Sequence, residues 1–256
     1  MLRHRVIPCL LLRNGGLVKT RRFADASYVG DPINAIRIFN EKEVDELLVL
    51  DIDASKTGSE PNYNLIEQFA GECFMPLGYG GGISSVDQAR RLFSIGVEKV
   101  AIQTAALADL SLVTEIAALY GNQSVVVSID IKKNWVGRHK LFSAASGKRL
   151  KRDWESFLRD AVAAGAGEIL VNSVDKDGTL SGTDVALIEA AAAACTIPLI
   201  VCGGVGSLAD IKAAVTAGAS AVAAGAFFVY YGRHRAVLIT YPRYDDLVQL
   251  LDAEVT

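Results

Sequence analysis

A (β/α)8 barrel, in the α/β class, is the fold this sequence predicts, and three observations carry the prediction. Short β-branched runs alternate with amphipathic helical stretches eight times along the chain. The second half repeats the first: with Gly81 set on Gly203, Gly82 meets Gly204, Ser85 meets Ser207, Gly96 meets Gly218 and Val100 meets Val222, all at an offset of 122. Glycine turns follow the third and seventh strands in the same register, as GGGIS and CGGVGS. Two fourfold halves fit a closed TIM barrel with an internal twofold half-barrel repeat better than an open doubly wound sheet. The expected domain is 1–256, with half-barrels of about 1–122 and 123–256.

In order, the β-branched run VIPCL (6–10) is the first strand and the amphipathic DPINAIRIFNEK (31–42) its helix. ELLVLDI (46–52) and FMPLGYG (74–80) follow, then the helix SVDQARRLFSIG (85–96). KVAIQ (99–103) and DLSLVTEIAALYG (109–121) complete the first half. The second half runs SVVVSID (124–130), DWESFLRDAVAAGA (153–166), EILVNS (168–173), TDVALIEAAAAAC (183–195), PLIVCG (198–203), SLADIKAAVTAGA (207–219) and AVAAG (221–225). Asp53 of LDIDASKTG falls on Asp175 of NSVDKDGTLSG at the same offset, whereas near the start the offset drifts to 119 and lays VIPCLLLRN over VVVSIDIKK. No linker, low-complexity tract or second domain interrupts the pattern.

At 256 residues, 51% hydrophobic and a net charge of −3, the composition is that of a soluble globular chain without a basic patch for nucleic acid. No apolar run approaches the roughly 20 residues of a membrane span. MLRHRVIPCLLLRNGG is charged too soon after its short apolar stretch to act as a secretion signal. Cys9, Cys73, Cys195 and Cys202 lack CxxC spacing, which suits reduced thiols and a cytoplasmic location.

In a barrel of this kind the chemistry sits at the C-terminal strand ends. There the first and fifth strands end in Leu11 and Asp130, diametrically opposite in an eight-strand ring. A general acid and base would stand on either side of a substrate at these two positions, and here one of them is a leucine. The alternative for Asp130 is a buried carboxylate satisfied by loop amides. GGGIS, CGGVGS, IQTAA and AAGAF leave backbone amides open before helices, a phosphate-binding arrangement. Because the repeat duplicates it, two phosphates on opposite walls are expected, hence a long substrate with a phosphate at each end. At the other end, Arg5, Glu46, Lys99 and Glu168 each directly precede an apolar strand. Four such charges either pair across the barrel bottom or are solvated loop residues.

Taken together, LVKT, GDP, DELLVLDIDAS, YGGGI, VVVSIDIKK, GAGEILVNSVDKDGT and the second glycine loop, from MLRHRVIPCL to about Phe228, resemble the cyclase subunit of imidazole glycerol phosphate synthase. That resemblance implies a barrel docked by its N-terminal face on a separate glutaminase (HisH-like) subunit, as a heterodimer. It implies a ribonucleotide substrate with two phosphates, converted with ammonia to imidazole glycerol phosphate and AICAR. It also implies that Arg5, Glu46, Lys99 and Glu168 are an ammonia gate, which favours pairing over solvation. Of the family's two catalytic aspartates, Asp130 matches one and Leu11 replaces the other. Lys19, Asp51, Gly82, Thr104, Asp177, Gly178, Gly204 and Gly225 match phosphate- and substrate-binding positions. Gln103 stands where the family has Asn, and Ala226 where it has a hydroxyl residue.

Beyond Phe228 the tail FVYYGRHRAVLITYP is similar to paralogues of that family associated with lipopolysaccharide O-antigen genes, where a sugar is amidated. The expectation is an ammonia conduit serving a sugar amidotransferase, with cyclase chemistry impaired by Leu11. The alternatives are an active cyclase of histidine biosynthesis, with Asp130 making both proton transfers or a nearby group such as Asp51 or Lys19 replacing the lost one, and a scaffold that only activates its glutaminase. No cofactor and no metal are expected, since His4, His139 and His234 have no ligand spacing. Cys9 is read as a small buried hydrophobe, and Trp135 and Trp154 as packing residues. KNWVGRHKLFSAASGKRLKRDW (133–154), basic and glycine-containing, is read as a mobile loop over an anionic substrate or partner.

Overall fold

The computed structural model describes residues 4–252. The ends of the expected domain, 1–3 and 253–256, lie outside the described residues. Strand β1 (Arg5–Arg13) runs into an antiparallel hairpin, β2 (Gly16–Arg21) and β3 (Ala24–Gly30), before helix α1 (Pro32–Glu41). Then come β4 (Leu47–Asp51), α2 (Ala54–Thr57), α3 (Tyr63–Glu72), β5 (Leu77–Gly80), α4 (Val86–Ser94), β6 (Lys99–Ile102), α5 (Thr104–Ala108) and α6 (Ser111–Tyr120). The second half holds β7 (Val125–Lys133), β8 (His139–Ser143), β9 (Lys148–Arg149), α7 (Trp154–Ala163), β10 (Glu168–Ser173), α8 (Val185–Ala194), β11 (Leu199–Cys202), α9 (Leu208–Thr216) and β12 (Ala221–Ala224). A short α10 (Ala226–Val229), a ribbon of β13 (Tyr230–Tyr231) and β14 (Ala236–Val237), and α11 (Tyr244–Asp252) form the tail.

Strands β1, β4, β5, β6, β7, β10, β11 and β12 pair in that order, all parallel, and the β12 to β1 pairing closes the ring. Residues on one face of each strand turn into the barrel, where Ile7, Leu48, Val126, Leu170 and Ile200 form an inner apolar layer. The other face meets the helices in a larger core that includes Phe39, Phe69, Leu92 and Phe157, all fully buried. Each such side chain contributes about 1.5–3 kcal/mol by leaving water. Polar residues fix the helix starts: Asp31, Asn62, Ser85, Asp153, Asp184 and Ser207 each accept a backbone N–H of the first turn. Ser85 and Ser207 cap α4 and α9 at equivalent places in the two halves, as the repeat requires.

The repeat also appears in the two longest strands. β1 and β7 each have nine residues, roughly twice the length of β5, β6, β11 and β12. Both outrun the ring and turn antiparallel above it, β1 into β2 and β7 into β8. Two sequence expectations change here, and one feature is new. The hairpin at 16–30 was not anticipated. The segment 133–154, expected as a mobile loop, holds two strands, β8 and β9, which extend the end of β7 into an antiparallel arm. Trp154 packs, 6% exposed, but Trp135 is 95% exposed because it sits on the turn at the tip of that arm, beyond the reach of the core.

Candidate functional site

The C-terminal strand ends open into a cavity of about 520 Å³. Every top-side position singled out in the sequence lines it: Leu11, Lys19, Asp51, Gly82, Gln103, Thr104, Asp130, Asp177, Gly178, Gly204, Gly225 and Ala226. Phe23 of the hairpin and Phe142 of the arm bring their rings to 6.2 Å above it, so the two extended strands roof the cavity from opposite sides.

Asp130 is 5% exposed and lies beside Asn172 of β10 in the strand register. Burial pushes its carboxyl up, to about 7, against the pull of a hydrogen bond donated by Gln103 Nε2; Asp177 adds a like charge. At that value the group is poised to give or take a proton near neutrality. Across the ring, Leu11 is half-buried, packs on the inner apolar layer and pairs with Leu50 and Val18. The wall opposite Asp130 therefore offers hydrocarbon where a second titratable group would stand.

Lys19 is 4% exposed on β2, and its ammonium donates to the Cys9 carbonyl at 2.6 Å. Burial lowers its pKa, only partly offset by the attraction of Cys9 and Asp177. Gly225 makes room for this ammonium: a Cβ there would overlap Nζ. Asp177 accepts from the Thr20 hydroxyl at 2.8 Å and the Phe23 amide at 3.2 Å, fastening the hairpin to the loop after β10; burial raises its pKa. Cys9 is buried as expected, yet its thiol faces that of Cys202 in the cavity wall, and the hydrogen bond between them, with burial, raises the pKa of Cys202. Asp51 accepts the Asp53 and Ala54 amides, both at 3.0 Å, and so shapes the turn into α2.

The glycine loops coincide in both halves. Gly81 and Gly82 have φ of 120° and 72°, and Gly203 and Gly204 have 102° and 98°, all in the region that only glycine adopts freely. Each second glycine also lies against a backbone carbonyl, Ser59 for Gly82 and Gly182 for Gly204. The halves differ in one detail the sequence did not reveal: the Gly82 amide donates to the Ser55 hydroxyl at 3.3 Å. Sequence reasoning also passed over Ser55 and Asn172, both cavity-lining. Asn172 lies beside Asp130 in the strand register, near the end of β10, and that position was a usable signal.

At the opposite end, the four charges that precede strands close into a ring. Arg5 binds Glu46 through Nη1 and Glu168 through Nη2, the latter at 2.7 Å. Lys99 Nζ lies 2.8 Å from Glu46 and 3.2 Å from Glu168. Both glutamates are buried, 4% and 8% exposed. Burial alone would lower the pKa of Arg5, but the two carboxylates raise it on balance. Each cation meets both anions, so no member is free to be solvated separately.

Comparison with known proteins agrees with this geometry. The family described as "Histidine biosynthesis protein" matches residues 5–235. A protein of Pseudomonas aeruginosa, provisionally named imidazole glycerol phosphate synthase subunit hisF2, is 56% identical over 94% of this chain and 97% of its own length. A provisionally named subunit HisF of Leptospira interrogans is 48% identical over 96% of this chain and 98% of its own. The imidazole glycerol phosphate synthase subunit HisF of Hyphomonas neptunium is 42% identical over 89% and 90%.

Proposed function

This chain belongs to the histidine biosynthesis protein family and within it to the HisF barrels, and from that premise we propose that it is the ammonia-conducting subunit of a glutamine-dependent complex whose product is an amidated sugar, with its own cyclase chemistry impaired. A glutaminase docks on the N-terminal face, where Arg5, Glu46, Lys99 and Glu168 form the gate. Ammonia passes up the barrel axis to the cavity, and a sugar amidotransferase receives it there. The single observation that carries this reading is Leu11 facing Asp130 across a barrel whose charged ring is complete at the other end. A leucine neither gives nor takes a proton, and losing a general acid or base costs about 10²- to 10⁴-fold in rate. Lys19, Asp51, Gly82, Gln103, Thr104, Asp177, Gly178, Gly204, Gly225 and Ala226 would then hold a phosphorylated ligand or merely keep the shape of the ancestral site.

One observation favours a second reading, an active cyclase. Lys19 has a lowered pKa and shares the cavity with Asp130, so together they could supply the two proton-transfer groups. The purified chain, given the family's ribonucleotide substrate and excess ammonium at high pH, separates the two. No detectable turnover by the wild type, with turnover at least about 100-fold above the detection limit in Leu11→Asp, is the expected result. Wild-type turnover that disappears in Asp130→Asn would overturn the conduit reading.

A further inference from the structure

The arm above β7 is the most lopsided segment of the chain in charge. Residues 132–152 contain eight lysines and arginines and no acidic residue, which leaves 18 basic against 29 acidic residues elsewhere. Part of this charge is engaged locally: Lys133 binds Asp184 at 2.7 Å and Arg152 binds Asp160 at 2.7 Å. Arg138, Lys148 and Lys151 are exposed and reach no carboxylate among the described residues.

The tip of the arm carries Trp135 and Val136, 95% and 50% exposed. The turn that presents them is internally braced. Asn134 Oδ1 accepts the amides of Val136 at 3.1 Å and Arg138 at 2.9 Å, and the Gly137 amide donates to the Asn134 carbonyl at 3.0 Å. The base is braced as well: the Lys133 amide donates to Asp175 at 2.7 Å, and Arg149 to the Lys133 carbonyl at 2.6 Å. An indole held in water on a fixed turn loses little conformational freedom when a partner covers it, and tryptophan and arginine are the residues on which interface energy concentrates.

We infer that Trp135, Val136 and the cations around them dock a second protein that presents an apolar pocket rimmed by carboxylates. The surface stands at the C-terminal rim, the end away from the charged ring, so a subunit on the N-terminal face leaves it open. A protein fits better than a membrane, because the apolar tip is only two residues wide. It also fits better than an anionic polymer, which would use the cations and leave Val136 idle. That the occupant is the enzyme consuming the ammonia rests on the function proposed above.

The test uses fluorescence. With Trp154→Phe, Trp135 is the sole tryptophan of a chain that has two; in the unaltered chain the quenchable fraction reports on it, since Trp154 is buried. The purified chain is mixed in turn with the glutaminase, the sugar amidotransferase of the same organism and anionic phospholipid vesicles. The expected result is a blue shift and protection from acrylamide with the amidotransferase alone, reversed by salt. Trp135→Ala should then weaken that complex at least about tenfold, and Lys148→Glu with Lys151→Glu should remove its salt dependence. If calorimetry shows the amidotransferase bound while Trp135 stays quenchable and Trp135→Ala is neutral, the docking surface falls and the conduit reading stands. If the amidotransferase does not bind the chain at all, both fall. Protection by the glutaminase or by vesicles, and not by the amidotransferase, overturns the assigned occupant.

Discussion

The two ends of the barrel treat their charged groups in opposite ways. At the N-terminal end Arg5, Glu46, Lys99 and Glu168 alternate in sign, and each cation touches both carboxylates. At the C-terminal end Asp130 has an uncharged partner, Gln103, and faces hydrocarbon at Leu11, while Asp177 is held by neutral donors. A buried charge tolerates such surroundings only by shifting toward its neutral form, and Asp130 does so. The lower end is thus a closed network of paired charges, whereas the upper end includes one carboxylate, Asp130, whose charge comes and goes. A substitution at one end should therefore not act like a substitution at the other.

The largest effect is expected at the charged ring. Glu46→Ala leaves Arg5 and Lys99 sharing Glu168 alone, and removing one partner of a buried ion network costs about 3–5 kcal/mol. Denaturant unfolding would measure it. With a glutaminase present, the same change should raise the free ammonia released per glutamine consumed. If glutamine consumption changes while nitrogen delivery per glutamine does not, the ring is a scaffold for activation and the contrast between the two ends loses its functional meaning.

At the upper end the effect depends on pH. Asp130 has a folded pKa of about 7, above its unfolded value, so its contribution is fully present below the unfolded pKa and is lost as pH rises through the folded one. Between roughly pH 4 and 7 the wild type should lose stability relative to Asp130→Asn by about 1.4 kcal/mol per pH unit. Above about 7 the difference should level off. Urea unfolding of both proteins across this range gives the curve, and a flat difference would mean that Asp130 is ionised throughout.

These contrasts were unequally legible in the sequence. The ring residues could be singled out because each stands directly before an apolar run, although only the family resemblance favoured their pairing, and Leu11 because the internal repeat laid it over Asp130. The cavity-lining glycines were legible for the same reason: two copies in register single out turns that one copy does not. The Gln103–Asp130 bond was not legible, since nothing in the spacing of two strand ends says which neighbour's side chain reaches across. Nor was the arm. HKLFS has too short an apolar run to be read as a strand amid so many cations, and it pairs only because β7 outruns the ring and leaves its edge unpaired. Trp135 was misread because a tryptophan's usual burial says nothing of a place on a turn, where the backbone points the side chain away from every element.

The smallest effect concerns a charge at the upper end that is fully partnered, and it sharpens the contrast because it lies near Asp130 without resembling it. Asp184 caps α8 and accepts from His139 Nε2 at 3.1 Å and Lys133 Nζ at 2.7 Å, tying the arm to the barrel. The bond from His139 holds its carboxyl well below the usual range, against the opposing effect of burial, and Lys133 adds to the lowering. For a group depressed in this way the stabilisation is present above the unfolded pKa, near 4, and lost as pH falls through the folded value. Asp184→Asn keeps a side-chain acceptor for the helix cap and loses the charge. It should cost about 1.5–3 kcal/mol at neutral pH, the range of hydrogen bonds to charged groups, and progressively less below pH 4. Asp130→Asn has the opposite sign and the opposite pH window, so the two variants, followed by the same unfolding titration, distinguish a carboxylate the fold uses as an anion from one it keeps ready to be either.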